Sequence, residues 1–161
     1  MTAETAVRTP WEAYSEGVPM HLTYPDCAMV DMVAQSARKT PNLCAYTFYT
    51  TKVSFKVFME QIQACARALA AMGIHPGDKV TICMPNTPQA VVMFYAINYM
   101  GGIANMVHPL SAQEEIAFYL KESGSVAALT LRQFYPKFQA IRSKLTINKL
   151  IITGIEDALH G

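Results

Sequence analysis

At 161 residues the chain has the length of one domain, with 52% of its residues in the hydrophobic set and only 16% charged, where about 25% charged is usual. That balance excludes intrinsic disorder, which needs low hydrophobicity and high charge. Thirteen Lys and Arg against twelve Asp and Glu leave a formal charge of +1, which excludes the strong basic field of a dedicated nucleic-acid binder. A lone domain of this size has much surface to wet and few charges to wet it with, so the composition implies either a partner or excision from a larger body.

Met1–Pro10 carries Glu4 and Arg8 and no apolar run, so it does not read as a signal peptide. Residues 1–25 have scattered aromatics and no period and read as an arm along a surface, with at most a turn of helix at Trp11; residues 26–161 read as an α/β unit. Asp26 is placed to cap a helix from Ala28 to Lys39, with Met29, Met32, Val33 and Ser36 on one side and Pro41 beyond its end. Ala45–Tyr49 and Lys52-Val53, joined through Thr50-Thr51, read as a short hairpin. Ser54 caps the next helix, which carries Phe55, Phe58, Ile62, Cys65, Ala66 and Leu69 on one face and stops at Gly73.

A regular alternation follows. His75–Asp78 reads as a turn and Val80–Met84 as a buried strand. Thr87-Pro88 starts a helix that runs to Met100, with proline at the first helical position. Ile103–Val107 is the next strand, and Ser111–Glu114 is a capping box for a helix ending near Ser123-Gly124. Val126–Thr130 is a third strand, Pro136–Lys144 a helix with Phe138, Ile141 and Leu145 as its stripe, and Lys149–Thr153 a fourth strand. Apolar strands alternating with helices imply right-handed crossovers and an α/β fold: a layered, mostly parallel sheet with helices on both faces. From Val80 to Gln113 there is no charged residue, a stretch long enough to cross a bilayer. Pro85, Pro88, Gly101, Gly102 and Pro109 interrupt it where strand and helix must turn, so no transmembrane segment is expected.

Motifs for chemistry are sparse. The turn after the first strand of the alternation, Met84–Pro88, has no glycine and two prolines without N–H groups, a poor cradle for phosphate. Neither G-x-G-x-x-G nor the P-loop pattern occurs. Glu122–Ser125 resembles half of a nucleophile elbow but follows a helix, where a C-cap is the better reading. His21, His75, His108 and His160 lack metal-ligand spacing, so no metal site is expected. The cysteines Cys27, Cys44, Cys65 and Cys83 form no C-x-x-C pair and are expected as reduced cytosolic thiols, buried as small core hydrophobes.

Position singles out two residues. Ligands of open parallel sheets bind beyond the carboxyl ends of the strands, where Asn86 follows one strand and His108 the next. They are candidates for binding a substrate; the alternative is an Asn satisfying turn amides and a His capping the loop before Pro109. Arg132, Lys137, Arg142, Lys144 and Lys149 stand in a stretch without acids between Glu122 and Glu156. They fit either a phosphorylated or acidic partner or the solvated face of one helix.

Three segments together resemble the N-terminal portion of the AMP-forming adenylate synthetases, the superfamily of acyl-CoA synthetases, luciferases and peptide-synthetase adenylation domains. Val53–Phe58 resembles the first core motif, Gly73–Asn86 the G-V-x-x-G-D-x-V strand with its Pro-Asn, and Ala96–Pro109 the second core motif. Met100, Met106 and His108 depart from the family's usual residues. The likeness covers about Asp26 to Thr153. It implies a partial N-terminal domain of the adenylate-forming fold, truncated before the phosphate-binding loop. The implied parent enzyme uses ATP, Mg²⁺ and CoA to turn a carboxylic acid, a fatty acid in the leading reading, into an acyl-adenylate and then an acyl-CoA.

The groups that perform this chemistry lie further along such proteins, so no catalytic, cofactor-binding or metal-binding residue is expected within the chain. The implied partners are the remainder of the parent enzyme and the acid. The alternative is a stand-alone, non-catalytic binding or assembly module, homodimeric through the helix at Pro88–Met100. That helix is apolar nearly all round, and a two-layer edge would leave half of it wet.

Overall fold

The computed structural model describes residues 17–19 and 21–159. The helical turn expected at Trp11, the reading of Met1–Pro10 and His160 lie outside them. The element order is α1 (Met29–Lys39), β1 (Cys44–Phe48), β2 (Thr51–Ser54), α2 (Phe55–Ala71), β3 (Lys79–Cys83), α3 (Pro88–Tyr99), β4 (Ile103–Met106), α4 (Gln113–Ser123), β5 (Ala127–Leu131), α5 (Tyr135–Ala140) and β6 (Lys149–Thr153). β1 and β2 form an antiparallel hairpin, and the other four strands form a parallel sheet in the order β4-β3-β5-β6. Every element of the expected alternation is present.

The sheet alternates its side chains between two cores. Val80 and Ile82 of β3 and Leu129 and Leu131 of β5 pack with Ala66 and Leu69 of α2 and Ala90, Met93, Ala96 and Ile97 of α3. On the opposite face Cys83 and Ala128 meet Ile116, Ala117 and Leu120 of α4, together with Phe138 and Ile141. The chain steps from β3 to β4 in one direction and from β4 to β5 in the other. A constant crossover hand therefore puts α3 and α4 on opposite faces. Among the described residues no helix is long and apolar enough to cross a membrane.

A third core forms where α1, the hairpin and α2 meet the outer side of α3: Val30, Val33, Val53, Phe58 and Ile62, with Val92 and Tyr95 packed against them. The rings of Tyr46, Phe58 and Tyr95 meet edge to face at 5.4 and 5.7 Å. This corrects the expectation for α3. Its two apolar sides are both covered within the chain, and Val91 and Tyr99 are its exposed large hydrophobics.

Caps follow the same logic with shifts of register. Ser54 accepts a hydrogen bond from the Val57 N–H, and Thr87 one from the Ala90 N–H with Pro88 next to it, as expected. Asp26 does not cap α1. The first turn starts at Ala28, whose N–H is taken by Asp31 at 2.9 Å, while the Val30 N–H is taken by the Asn98 side chain of α3 at 2.9 Å. A side chain from a distant helix thus satisfies a donor that local sequence leaves open. The start of α4 is likewise one residue later than the pattern suggests, with Glu115 taking the Ala112 N–H.

α1 also turns a different side inward: Val30 and Val33 are buried, Met29 and Met32 exposed. The expected helix Pro136–Lys144 is replaced by the short α5 and a 3-10 turn at Arg142–Lys144, and another 3-10 turn, Arg132–Phe134, precedes α5. Pro136 stands in the first turn of α5, where its missing N–H costs nothing, and Ile141, at φ −104° and ψ 10°, ends the helix. The hairpin turn is Tyr49-Thr50, since Phe48 faces Thr51. Tyr49 has φ of +50°, the positive φ that the first central residue of a two-residue hairpin turn takes.

The covering of α3 gives two measurable outcomes. Ile97→Ala, at a fully buried position, is expected to lower the unfolding free energy by about 2–5 kcal/mol in denaturant titration. Asn98→Ala is expected to cost only about 1 kcal/mol, with faster amide hydrogen exchange at Val30 as its specific signature.

Candidate functional site

Three strands of the sheet end at one crevice. Met84, Pro85 and Asn86 follow β3, Met106–Leu110 continue from β4, and Gln133 and Phe134 follow β5; together they enclose about 500 Å³. Its place is set by topology. The chain leaves β3 toward β4 on one side and returns to β5 on the other, so the loops diverge and a space opens between them.

Asn86 and His108, singled out by position, both line this crevice and both are exposed. His108 also does what the structural alternative supposed: its Nδ1 accepts the Leu110 N–H at 3.3 Å. With Nδ1 accepting, a neutral imidazole carries its proton on Nε2. Gln133 and Phe134 escaped sequence reasoning. They follow β5 as Asn86 follows β3, and the apolar strand Ala127–Leu131 immediately before them was the available signal.

The basic residues of the stretch 123–155 do not share one face. Arg132 pairs with Glu156 at 2.6 Å and Lys144 with Glu114 at 2.6 Å, both exposed. Lys137 donates to the carbonyl oxygens of Pro109 and Ser111 at 3.0 and 2.8 Å and lies 5.9 Å from the centre of the Phe134 ring. It therefore staples the loop after β4 to α5 and fixes one wall of the crevice. The reason for the dispersal is the broken helix, which removes the common face the spacing assumed.

Ser123 is the last residue of α4, and Gly124 closes the helix in the left-handed region at φ +63°, so the elbow-like sequence is a C-cap. The Ser123 hydroxyl belongs to a polar cluster: the Asn105 amide donates to Thr81 and Ser123 at 2.9 and 3.1 Å, and Ser125 lies 2.7 and 2.8 Å from the same two hydroxyls.

The crevice does not fit a nucleotide phosphate or its metal. The turn beneath it carries Pro85 and Pro88, which supply no N–H. Among the described residues no group of three or more His, Cys, Asp or Glu comes together to hold a cation. The cysteines correct another expectation. Cys83 is fully buried and Cys65 partly so, but Cys27 and Cys44 are exposed. Burial pushes the Cys83 thiol up to about 11, with the Lys137 charge pulling weakly the other way; burial also raises Cys65.

Sequence comparison matches the AMP-binding enzyme family over residues 33–158. The chain belongs to this family. A long-chain-fatty-acid–CoA ligase of Bacillus subtilis is 28% identical over 151 residues, covering 93% of this chain and 27% of that protein. The crystal structure of the N-terminal domain of FACL13 from Mycobacterium tuberculosis superposes with a TM-score of 0.75 at 27% identity, over 83% of this chain and 35% of that one. A long-chain-fatty-acid–CoA ligase structure from Archaeoglobus fulgidus shares the fold, with a TM-score of 0.79 over 91% of this chain and 32% of that one at 18% identity. The chain thus spans about a quarter to a third of these AMP-binding enzymes and corresponds to an N-terminal portion of them.

The thiol environments predict an order of reactivity. In native protein an uncharged disulfide reagent is expected to label Cys27 and Cys44 rapidly and Cys83 only on unfolding. Because the raised pKa favours the protonated thiol in the folded state, the stability Cys83 contributes is complete below about pH 9 and lost as pH rises toward about 11. Cys83→Ala should flatten that part of the stability profile.

Proposed function

We propose that the chain is the N-terminal part of an ATP-dependent, AMP-forming acid–thiol ligase. That enzyme activates a fatty acid as its adenylate and passes it to CoA. The family match over residues 33–158 carries this reading, and the fatty-acid–CoA ligase relatives support the substrate class. In it residues 1–25 are an arm and residues 26–161 the α/β portion, and the remainder of the ligase is its partner. The exposed free thiols Cys27 and Cys44 support a reducing compartment, the cytosol.

The division of labour follows from the crevice. It offers an apolar wall (Met84, Met106, Phe134), two neutral polar side chains (Asn86, Gln133) and one imidazole. Such a lining can orient an uncharged part of a substrate but holds no Lys or Arg to bind phosphate. In this reading ATP and Mg²⁺ are held elsewhere in the ligase, and Asn86 and His108 position the substrate.

Full-length protein should catalyse acid-dependent exchange of pyrophosphate into ATP, with activity rising along a series of acids from acetate to palmitate; exchange that ignores the acid, or none at all, would refute the ligase reading. Asn86→Ala and His108→Ala in the same protein are expected to lower kcat/KM about tenfold, the worth of one lost hydrogen bond to substrate of about 1.4 kcal/mol. Unchanged kinetics in both variants would remove the crevice from the substrate path while leaving the ligase reading intact.

A further inference from the structure

The acid-free stretch 123–155 leaves two cations that neither the fold nor the proposed reaction uses. Arg132 and Lys144 pair with carboxylates, and Lys137 with carbonyl oxygens. Arg142 and Lys149 have no carboxylate partner among the described residues. The Lys149 ammonium donates to the side-chain oxygen of its neighbour Asn148 at 3.2 Å. Both cations line one cavity of about 390 Å³, which shares no lining residue with the crevice and has no Asp or Glu among the described residues of its wall.

The shortness of α5 accounts for this space. α5 stops at Ala140, and the chain returns to β6 through the 3-10 turn Arg142–Lys144 and residues 145–148. β6 is the last strand of the sheet, so no further strand among the described residues borders it. The floor is apolar. Leu145, Ile147 and Leu150 pack against the core that holds Phe138 and Ile141, and Ile152, on the same side of β6 as Leu150, is 41% exposed.

Two like charges beside one space repel each other, and an anion between them relieves that repulsion. Arg142 is exposed and Lys149 half-buried. Long cationic side chains rest their stems on apolar surface and keep their charged ends toward water, so a guest with its apolar part on the floor would meet both charges at the mouth. A guanidinium fork and an ammonium together suit a headgroup of several oxygens. We propose that this cavity binds an amphiphilic anion, with one such negatively charged headgroup on an apolar body the size of a ring or a short alkyl chain. The site is separate from the crevice, and the inference does not rest on the ligase reading.

The test uses full-length protein with labelled Ile and Leu methyl groups, titrated below the micelle concentration with octyl sulfate, octanol and octyltrimethylammonium, which share one chain and differ in headgroup charge. Octyl sulfate is expected to give saturable shifts at Leu145, Ile147, Leu150 and Ile152 and to bind at least about fivefold more tightly than octanol, a difference of about 1 kcal/mol. The ammonium should bind more weakly than either. Arg142→Gln and Lys149→Gln should each weaken octyl sulfate binding about threefold or more, the worth of one solvent-exposed ion pair, and leave octanol binding unchanged. Equal binding of sulfate and alcohol, shifts confined to other methyls, or variants that bind the sulfate as the unmodified protein does would each overturn the proposal. Phosphatidylglycerol vesicles form the last arm: binding to them without any shift from free octyl sulfate would make the partner a membrane surface and overturn it as well. The comparison of headgroups on unmodified protein decides even where a variant fails to fold.

Discussion

The fold depends on α3 having two apolar sides to bury. One side, through Ala90, Met93, Ala96 and Ile97, closes the sheet; the other, through Val92 and Tyr95, receives α1, α2 and the hairpin. An ordinary amphipathic helix covers a sheet and turns a polar stripe to water. α3 instead makes a further layer possible: α1 and the hairpin pack on its outer side, while α2 contacts both it and the sheet. Asn98, one of its few polar residues, serves that arrangement by completing the first turn of α1. A two-stranded hairpin is marginal alone, and the edge-to-face rings of Tyr46, Phe58 and Tyr95 are its anchorage.

The sheet is held differently along its length. In the middle of β3 and β4, Thr81 and Asn105 exchange hydrogen bonds with Ser123 at the end of α4 and Ser125 just before β5. Such directional bonds fix register where an edge strand could slip. Near the carboxyl ends the Thr130 hydroxyl of β5 donates to the Cys83 carbonyl oxygen of β3 at 3.1 Å, and beyond it the loops part to form the crevice. Lys137 restrains one of these loops from outside, through its contacts with the Pro109 and Ser111 carbonyl oxygens. The bonded strands thus form the scaffold, and the loops beyond them carry the open crevice.

Most of this was legible in the sequence where local signals and packing agree. Thr87-Pro88 and Ser54 mark helix starts because cap and proline act on the backbone within one turn. Asn86 and His108 could be placed in one crevice because strand ends in a parallel sheet are neighbours by construction. What was not legible depends on distant partners. No local pattern shows that Asn98 replaces Asp26 as the donor's partner, or that Val30 rather than Met29 faces inward, because both follow from where α3 lies. Gln133 and Phe134 remained hidden because α5 begins in a 3-10 turn that carries them to the crevice, while the basic stretch around them suggested a single helical face.

The low charge of the chain also finds a different explanation from the one α3 suggested. That helix is covered, so the unpaid apolar surface lies elsewhere: Met29 and Met32 on the outer side of α1, Ile103 and Met106 on β4, and Leu110, Phe118 and Tyr119 in the segment that follows. β4 is an edge strand, and an exposed apolar edge invites pairing unless something covers it. Charges would have been the simple protection, and β4 has none. A chain spanning about a quarter of the ligases it resembles has a direct reason to leave such an edge unprotected, since in a larger body an edge strand with apolar side chains is a junction. The surface apolarity and the family match thus support the same reading of this chain as a portion of a larger ligase, from independent observations.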